Sequence, residues 1–468
     1  MPPHPNVLFY VSDSLRADHV SSFGYDRETT PNVDTLAADG VRLESAFAQA
    51  IWTVPSSVSI LTGLYPAVHG ATTTYDQIPD NVPRIVEHFR QKGYATGAFS
   101  ATTQVSKRRN FHPGFEHFDE IFQDHSAHES DSARLCSDRP IEWFEELDDN
   151  TPFFVFIWSF GTHEPYEPRA GMFSDGSTPI NGSMDAVNDA GYDQRDAVRD
   201  VYDDAIRHSD EQFGRLVDYL KRNGLYEDTI IVFTSDHGEI LSDHGRMEHA
   251  HPLVQKLGRT IAPNLSEKFK LFDQYGRVGH LVVLPYDGLI HVPAVIKPTE
   301  RDWRGSREQL VQSIDLMPTV ADLVGIDFET QGQSLVSLIE DDEPINEYVY
   351  SDTTQSKGVG RFKSVRSHDH KYIREKLDRT SEREHLKLGK TAFSLLRWAV
   401  VENELLFDIS DGEREDVKDD HPELFREFQR VYEKWESRNA DAGDQYISER
   451  AAVDDDVREE LKNLGYLK

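Results

Sequence analysis

Along the chain, unbroken apolar runs of strand length alternate with stretches of helical period. Asn6–Ser12 (NVLFYVS), Pro152–Phe160 (PFFVFIWSF) and Thr229–Thr234 (TIIVFT) are such runs. Runs of this kind read as strands buried on both faces of a parallel sheet. Ala95–Ser100 and Val292–Lys297 read as further strands. Between them lie helical patterns: Thr35–Gly40 and Val82–Gly93, each stopped by glycine, Ser313–Val324, and Val201–Gly224. In the last of these, Ile206, Phe213, Leu216, Val217 and Leu220 recur at helical spacing. The alternation predicts an α/β fold, a mostly parallel sheet covered by helices on both faces.

Beyond about residue 340 the pattern shortens. Tyr348–Ser351, Phe362–Arg366, Tyr372–Glu375 and Glu404–Ile409 read as short antiparallel strands, followed by a helix over Pro422–Trp435. The expected division is therefore a catalytic-sized α/β domain over 1–340 and a small C-terminal α+β subdomain over 341–468. Gly171–Asp200 and Gly245–Gly279 carry no clear period and read as long loops, a form that lids and specificity inserts often take.

Ligands of such sheets bind beyond the carboxyl ends of the strands, so polar residues just after strands draw attention. Asp13 follows the first strand, and Asp236 with His237 follows a later one. Thr53 opens Thr53-Val54-Pro55-Ser56-Ser57, where Pro55 suits a first helical turn and Gly63 a helix end. A hydroxyl there meets backbone N–H groups and a positive dipole end, a natural place for sulfate or phosphate. It also simply caps a helix in most proteins, and Asp13 alone serves equally well as a cap. Two carboxylates, an imidazole and a hydroxyl together make a donor set for one divalent ion: Mn, Ca, Mg or Zn.

Charge narrows the partners. The 468 residues carry a net charge of −33, spread along the chain, with 33 Arg against 17 Lys. No basic footprint for nucleic acid or an anionic membrane surface exists. The acidic balance reads as a salt-adapted surface, where molar salt screens self-repulsion, with an ordinary acidic protein as the alternative. One cysteine, Cys136, excludes a disulfide framework. Met1-Pro2-Pro3-His4-Pro5 does not read as a signal peptide, and no apolar run is long enough to span a bilayer, so the expectation is a cytoplasmic protein.

Taken in order, these segments resemble the sulfatase family of the alkaline phosphatase superfamily. The marks are Asn6–Tyr25, Thr30–Asp34, Thr53–Gly70, Thr162-His163-Glu164-Pro165-Tyr166, Thr234–Gly245, Tyr286–Pro298 and Asp315–Thr319. Lys371-Tyr372-Ile373 and Leu405-Leu406-Phe407-Asp408 resemble its terminal subdomain. The resemblance implies that Asp13, Asp236 and His237 hold the metal with Thr53 as fourth ligand and nucleophile. It implies that His163 contacts the ester's charged head or leaving group, and that His280 falls near the anion. His244 lies close in sequence and is either a substrate contact or a loop histidine. His69 and His291 read as structural.

Three departures bear on the chemistry. Sulfatases of the usual kind oxidise a Cys or Ser to formylglycine within a motif ending in Arg; here Thr53 and Ser57 occupy those places. Threonine oxidation yields only a ketone, so no formylglycine is expected. The Lys-x-His element is missing from the segment around Ala95–Ser100, and Ser14 replaces a second metal-binding Asp. A threonine ester cannot collapse to an aldehyde and must wait for water or an acceptor. The expected activity is metal-dependent hydrolysis of a sulfate ester, phosphodiester or phosphonate ester on a small molecule or glycan. A phosphoglycerol-type headgroup transferase and a non-catalytic binding protein on the same fold are the alternatives.

Overall fold

The computed structural model describes residues 4–74, 76–123, 131–148, 150–166, 171–174, 194–241, 284–299, 301–354, 361–376, 404–443 and 446. Its centre is an eight-stranded sheet in the order β4-β3-β5-β1-β6-β7-β2-β8. The strands are β1 (Asn6–Ser12), β2 (Val41–Phe47), β3 (Ala95–Ser100), β4 (His117–Glu120), β5 (Phe153–Ser159), β6 (Thr229–Thr234), β7 (Ala294–Lys297) and β8 (Gly305–Gln312). Strand β7 pairs antiparallel with β6 and β2; the other pairings in this sheet are parallel.

Central strands alternate their side chains between two cores. Val7, Phe9 and Val11 of β1 enter one core, with Val54, Val58 and Leu61 of the Thr53–Thr62 helix. Leu8 and Tyr10 enter the other, with Val33, Phe213 and Leu216 from helices Pro31–Asp39 and Arg195–Arg222. All seven residues of β1 are buried, as a doubly covered strand requires.

A second sheet, in the order β12-β11-β10-β9, is wholly antiparallel. It comprises β9 (Val349–Thr354), β10 (Arg361–Arg366), β11 (His370–Lys376) and β12 (Glu404–Asp408). The helix Pro422–Gly443 packs on it through Phe428, Tyr432 and Trp435, and these rings join the first core. The two sheets thus share apolar contacts.

The long helix starts at Arg195, so it takes in the end of the segment read as a Gly171–Asp200 loop. The Gly245–Gly279 segment lies outside the described residues. No described helix is long and apolar enough to cross a membrane.

Candidate metal centre and active site

The carboxyl ends of β5, β1 and β6 and the turn after β2 meet at one place. The amide of Asp13 donates to Ser159 O (2.9 Å), extending the parallel ladder one residue past β1. Ser14 then turns with φ +62°, a left-handed conformation costly for a residue with a Cβ. That turn aims its amide at Asp236 Oδ1 (3.1 Å) and its hydroxyl at Asp13 Oδ1 (2.9 Å). Ser14 therefore braces both acids.

Thr53 is the first helical residue; the cap position is Trp52, and no side chain caps this helix N-terminus. The hydroxyl of Thr53 instead faces the acids. Its Oγ1 lies 3.4 Å from Asp13 Oδ2 and 3.4 Å from His237 Nε2. His237 Nε2 is 3.2 Å from Asp236 Oδ2 and 3.8 Å from Asp13 Oδ1. The His237 Nδ1–H donates to Gly238 O (2.8 Å), which fixes the tautomer and turns the Nε2 lone pair inward. All four side chains are fully buried.

Burial, and then the charge of Asp13, push the Asp236 carboxyl well above its usual range. Asp236 Oδ2 makes no hydrogen bond among the described residues. Donor atoms of Asp13, Asp236 and His237 lie within 4.8 Å of one another. Two buried carboxylates beside an inward imidazole lone pair are costly on their own and suit a divalent cation. The donor set thus fits the metal that the sequence implies.

His163 lies beside this cluster. The Thr162 hydroxyl donates to Asp13 O, and His163 stacks on Phe160 with ring centres 4.1 Å apart. Its Nδ1 is 2.5 Å from Glu164 O. His69 bridges Ser59 Oγ (3.1 Å) and the Ala71 amide, and His291 meets Glu44 O (2.8 Å). Ser57, in the place of the usual arginine, turns its hydroxyl back to Val54 O (3.0 Å). His244 and His280 lie outside the described residues.

Four contributors were not singled out from sequence. Trp158 donates its indole N–H to Asp13 Oδ2 (2.9 Å). It sits in a run that reads as pure core, yet at the ligand end of β5. Tyr166 donates to Glu239 Oε2 (3.1 Å). Burial lifts Glu239 to about 7 although His163 and His237 oppose the shift. Burial and then Glu239 lift Glu164 well above the ordinary range.

The family model described as Sulfatase matches residues 5–326. An arylsulfatase of Clostridium perfringens is 24% identical over 412 residues, covering 72% of this chain and 79% of that protein. An N-acetylglucosamine-6-O-sulfatase of Bacteroides thetaiotaomicron is 21% identical, covering 79% of this chain and 78% of that protein. The solved phosphonate monoester hydrolase of Agrobacterium radiobacter superposes with a TM-score of 0.66 at 20% identity, covering 95% and 96% of the two chains.

Proposed function

The chain belongs to the sulfatase family of ester hydrolases, and on that premise we propose that Thr53 is its nucleophile. The observation that carries this is the position of Thr53 Oγ1, 3.4 Å from both Asp13 Oδ2 and His237 Nε2 in a fully buried cluster. Asp13, Asp236 and His237 would hold one divalent cation, with the Thr53 oxygen as a further ligand. Such an ion, when bound, lowers the pKa of a hydroxyl and offsets charge on the ester's oxygens.

The residues divide the rest of the work. The Thr53 hydroxyl is directed at Asp13 Oδ2, which takes its proton as Oγ1 attacks the sulfur or phosphorus. A bond forms from Oγ1 and the bond to the leaving alcohol breaks. His163 keeps its Nδ1–H on Glu164 O, and in the imidazolium form its Nε2 hands a proton to the departing oxygen and then takes one back from the water that attacks the threonine ester. Backbone N–H groups at the start of the Thr53–Thr62 helix, which no side chain caps, would meet the group being transferred. Water then attacks the threonine ester and regenerates the hydroxyl. With no formylglycine, sulfate has no route of release by aldehyde formation. Phosphodiester and phosphonate esters therefore stand beside sulfate esters as substrates, on small molecules or glycans.

The test is a panel of aryl sulfate, aryl phosphodiester and aryl phosphonate esters assayed with Mn²⁺, with chelator, and with Thr53→Ala. At least one ester turns over in the wild type, and Thr53→Ala lowers kcat by ~10³-fold or more. Undiminished turnover in Thr53→Ala removes Thr53 from the chemistry.

A further inference from the structure

We propose that Tyr202 is a positioning residue for the metal centre. Its hydroxyl holds the turn Ser14-Leu15-Arg16 in the shape that sets Asp13 against Asp236. The inference deepens the cation reading above and rests on it.

Three successive amides leave Asp13, and a side chain holds each. Ser14 N donates to Asp236 Oδ1 (3.1 Å), Leu15 N to Ser235 Oγ (2.9 Å) and Arg16 N to Tyr202 OH (3.0 Å). The first two partners stand in the loop that carries Asp236 and His237, so they shift whenever that loop shifts. Tyr202 comes from a different element, the helix Arg195–Arg222, which is seated on the sheet through Phe213 and Leu216. The same hydroxyl donates to Ser14 O (2.7 Å). One oxygen thus accepts from residue 16 and donates to residue 14, closing the turn from both sides with the single donor a phenol has.

The turn needs that hold. Ser14 stands at φ +62°, and a residue with a Cβ leaves this conformation unless its surroundings over-determine it. Tyr202 is itself well fixed. It is fully buried, with its ring edge-on to His19 at 5.1 Å and to Tyr166 at 5.3 Å between ring centres. A phenyl ring in its place leaves Ser14 O and Arg16 N, both on buried residues, without this partner. Ser14 then relaxes, and its bonds to Asp236 Oδ1 and Asp13 Oδ1 go with it. The spacing of the two carboxylates changes, and the cation loses its fit. Outer groups that orient metal ligands are typically worth ~10–100-fold in affinity.

The test is calorimetric titration of Mn²⁺ into the metal-stripped wild type, Tyr202→Phe, Ser14→Gly, the double variant and Tyr226→Phe. Tyr226 is the matched control: its hydroxyl donates to Asp39 Oδ2 (2.8 Å), and it precedes β6 at the end of the sheet away from the site. Tyr202→Phe lowers Mn²⁺ affinity ~10–100-fold, whereas Tyr226→Phe stays within ~2-fold of the wild type even where it melts lower. Glycine at 14 takes the left-handed φ without penalty, so adding Tyr202→Phe to Ser14→Gly costs at most ~3-fold more. An unchanged affinity in Tyr202→Phe, or an equal loss with glycine at 14, overturns the assignment and leaves the metal reading intact. If Tyr202→Phe does not fold, the double variant read against Ser14→Gly carries the same test, and failure of both to fold overturns the assignment in favour of a purely structural role. A wild type that takes up no Mn²⁺ overturns the metal reading and this inference with it.

Discussion

At the scale of single residues, the site works by turning costly features into useful ones. Asp236 is buried beside Asp13 with an oxygen that lacks a hydrogen bond, and Ser14 holds an unfavourable φ to brace both acids. Trp158 adds one N–H to Asp13, on the oxygen nearest Thr53. Removing that donor while keeping an aromatic ring isolates its contribution. Trp158→Phe weakens affinity for the divalent ion by ~10-fold, read by calorimetric titration of the metal-stripped protein. An unchanged affinity means that the indole only fills space. That Asp13, Asp236 and His237 come together with Thr53 was legible because the first three directly follow apolar runs and Thr53 opens a helix-start pattern. Trp158 was not, since one N–H at the end of PFFVFIWSF is invisible to a hydrophobic pattern. Glu164 and Glu239 sat inside quoted motifs, but their burial is a tertiary property.

At the scale of elements, the sequence shows the large sheet's strands buried on both faces, β1, β3, β5 and β6, and also the short antiparallel strands β9–β12. The unread ones are edge or half-polar strands. In β2 the order Val41-Arg42-Leu43-Glu44 leaves Arg42 and Glu44 only part-buried; β8 begins exposed and ends buried; β4 is four residues at the sheet edge. The helix Ser132–Glu145 carries Pro140 inside it, which hides its period. The β7 segment was read as a strand, but its reversed direction depends on which neighbours it meets. Just before β7, the short helix Asp287–Ile290 ties the site together. Gly238 N donates to Leu289 O (2.8 Å), Ala17 N to His291 O (3.3 Å) and Ala48 N to Ile290 O (2.7 Å). This one turn touches the segments that carry His237, Asp13 and Thr53. The approach requires glycine at 238, where a Cβ would sit 2.1 Å from Gly288 O. Gly238→Ala therefore destabilises by about 1–3 kcal/mol and lowers turnover along with it. Thermal melting and kinetics that match the wild type would mean the contact relaxes without effect.

At the scale of the whole molecule, the terminal sheet is fastened to that same turn by buried charge. Lys371 of β11 meets Asp287 Oδ1, Glu413 Oε1 (2.6 Å) and Pro285 O (3.0 Å), and Arg366 of β10 pairs with Asp287 (3.0 Å). Burial alone would lift Asp287, but Lys371 and Arg366 hold it well below the ordinary carboxylate range. A depressed carboxylate stabilises the fold above its unfolded value of ~3.9 and loses that contribution as pH falls through the folded one. Lys371→Met leaves the buried Glu413 without its cation and Asp287 with Arg366 alone, so urea unfolding at pH 7 shows a loss of about 3–5 kcal/mol. The deficit shrinks below pH ~4 as those acids protonate. A deficit independent of pH would deny the ionic origin of the fastening. Fold, terminal sheet and the Asp13, Asp236 and His237 cluster meet in one arrangement, in which Thr53 is brought to residues 40 and 184 positions away along the chain. The most direct check is to quench turnover of a slow ester and map the transferred group by peptide mass spectrometry. The account predicts a sulfo or phospho group on Thr53. Steady turnover with that group on another residue, or on none, contradicts it.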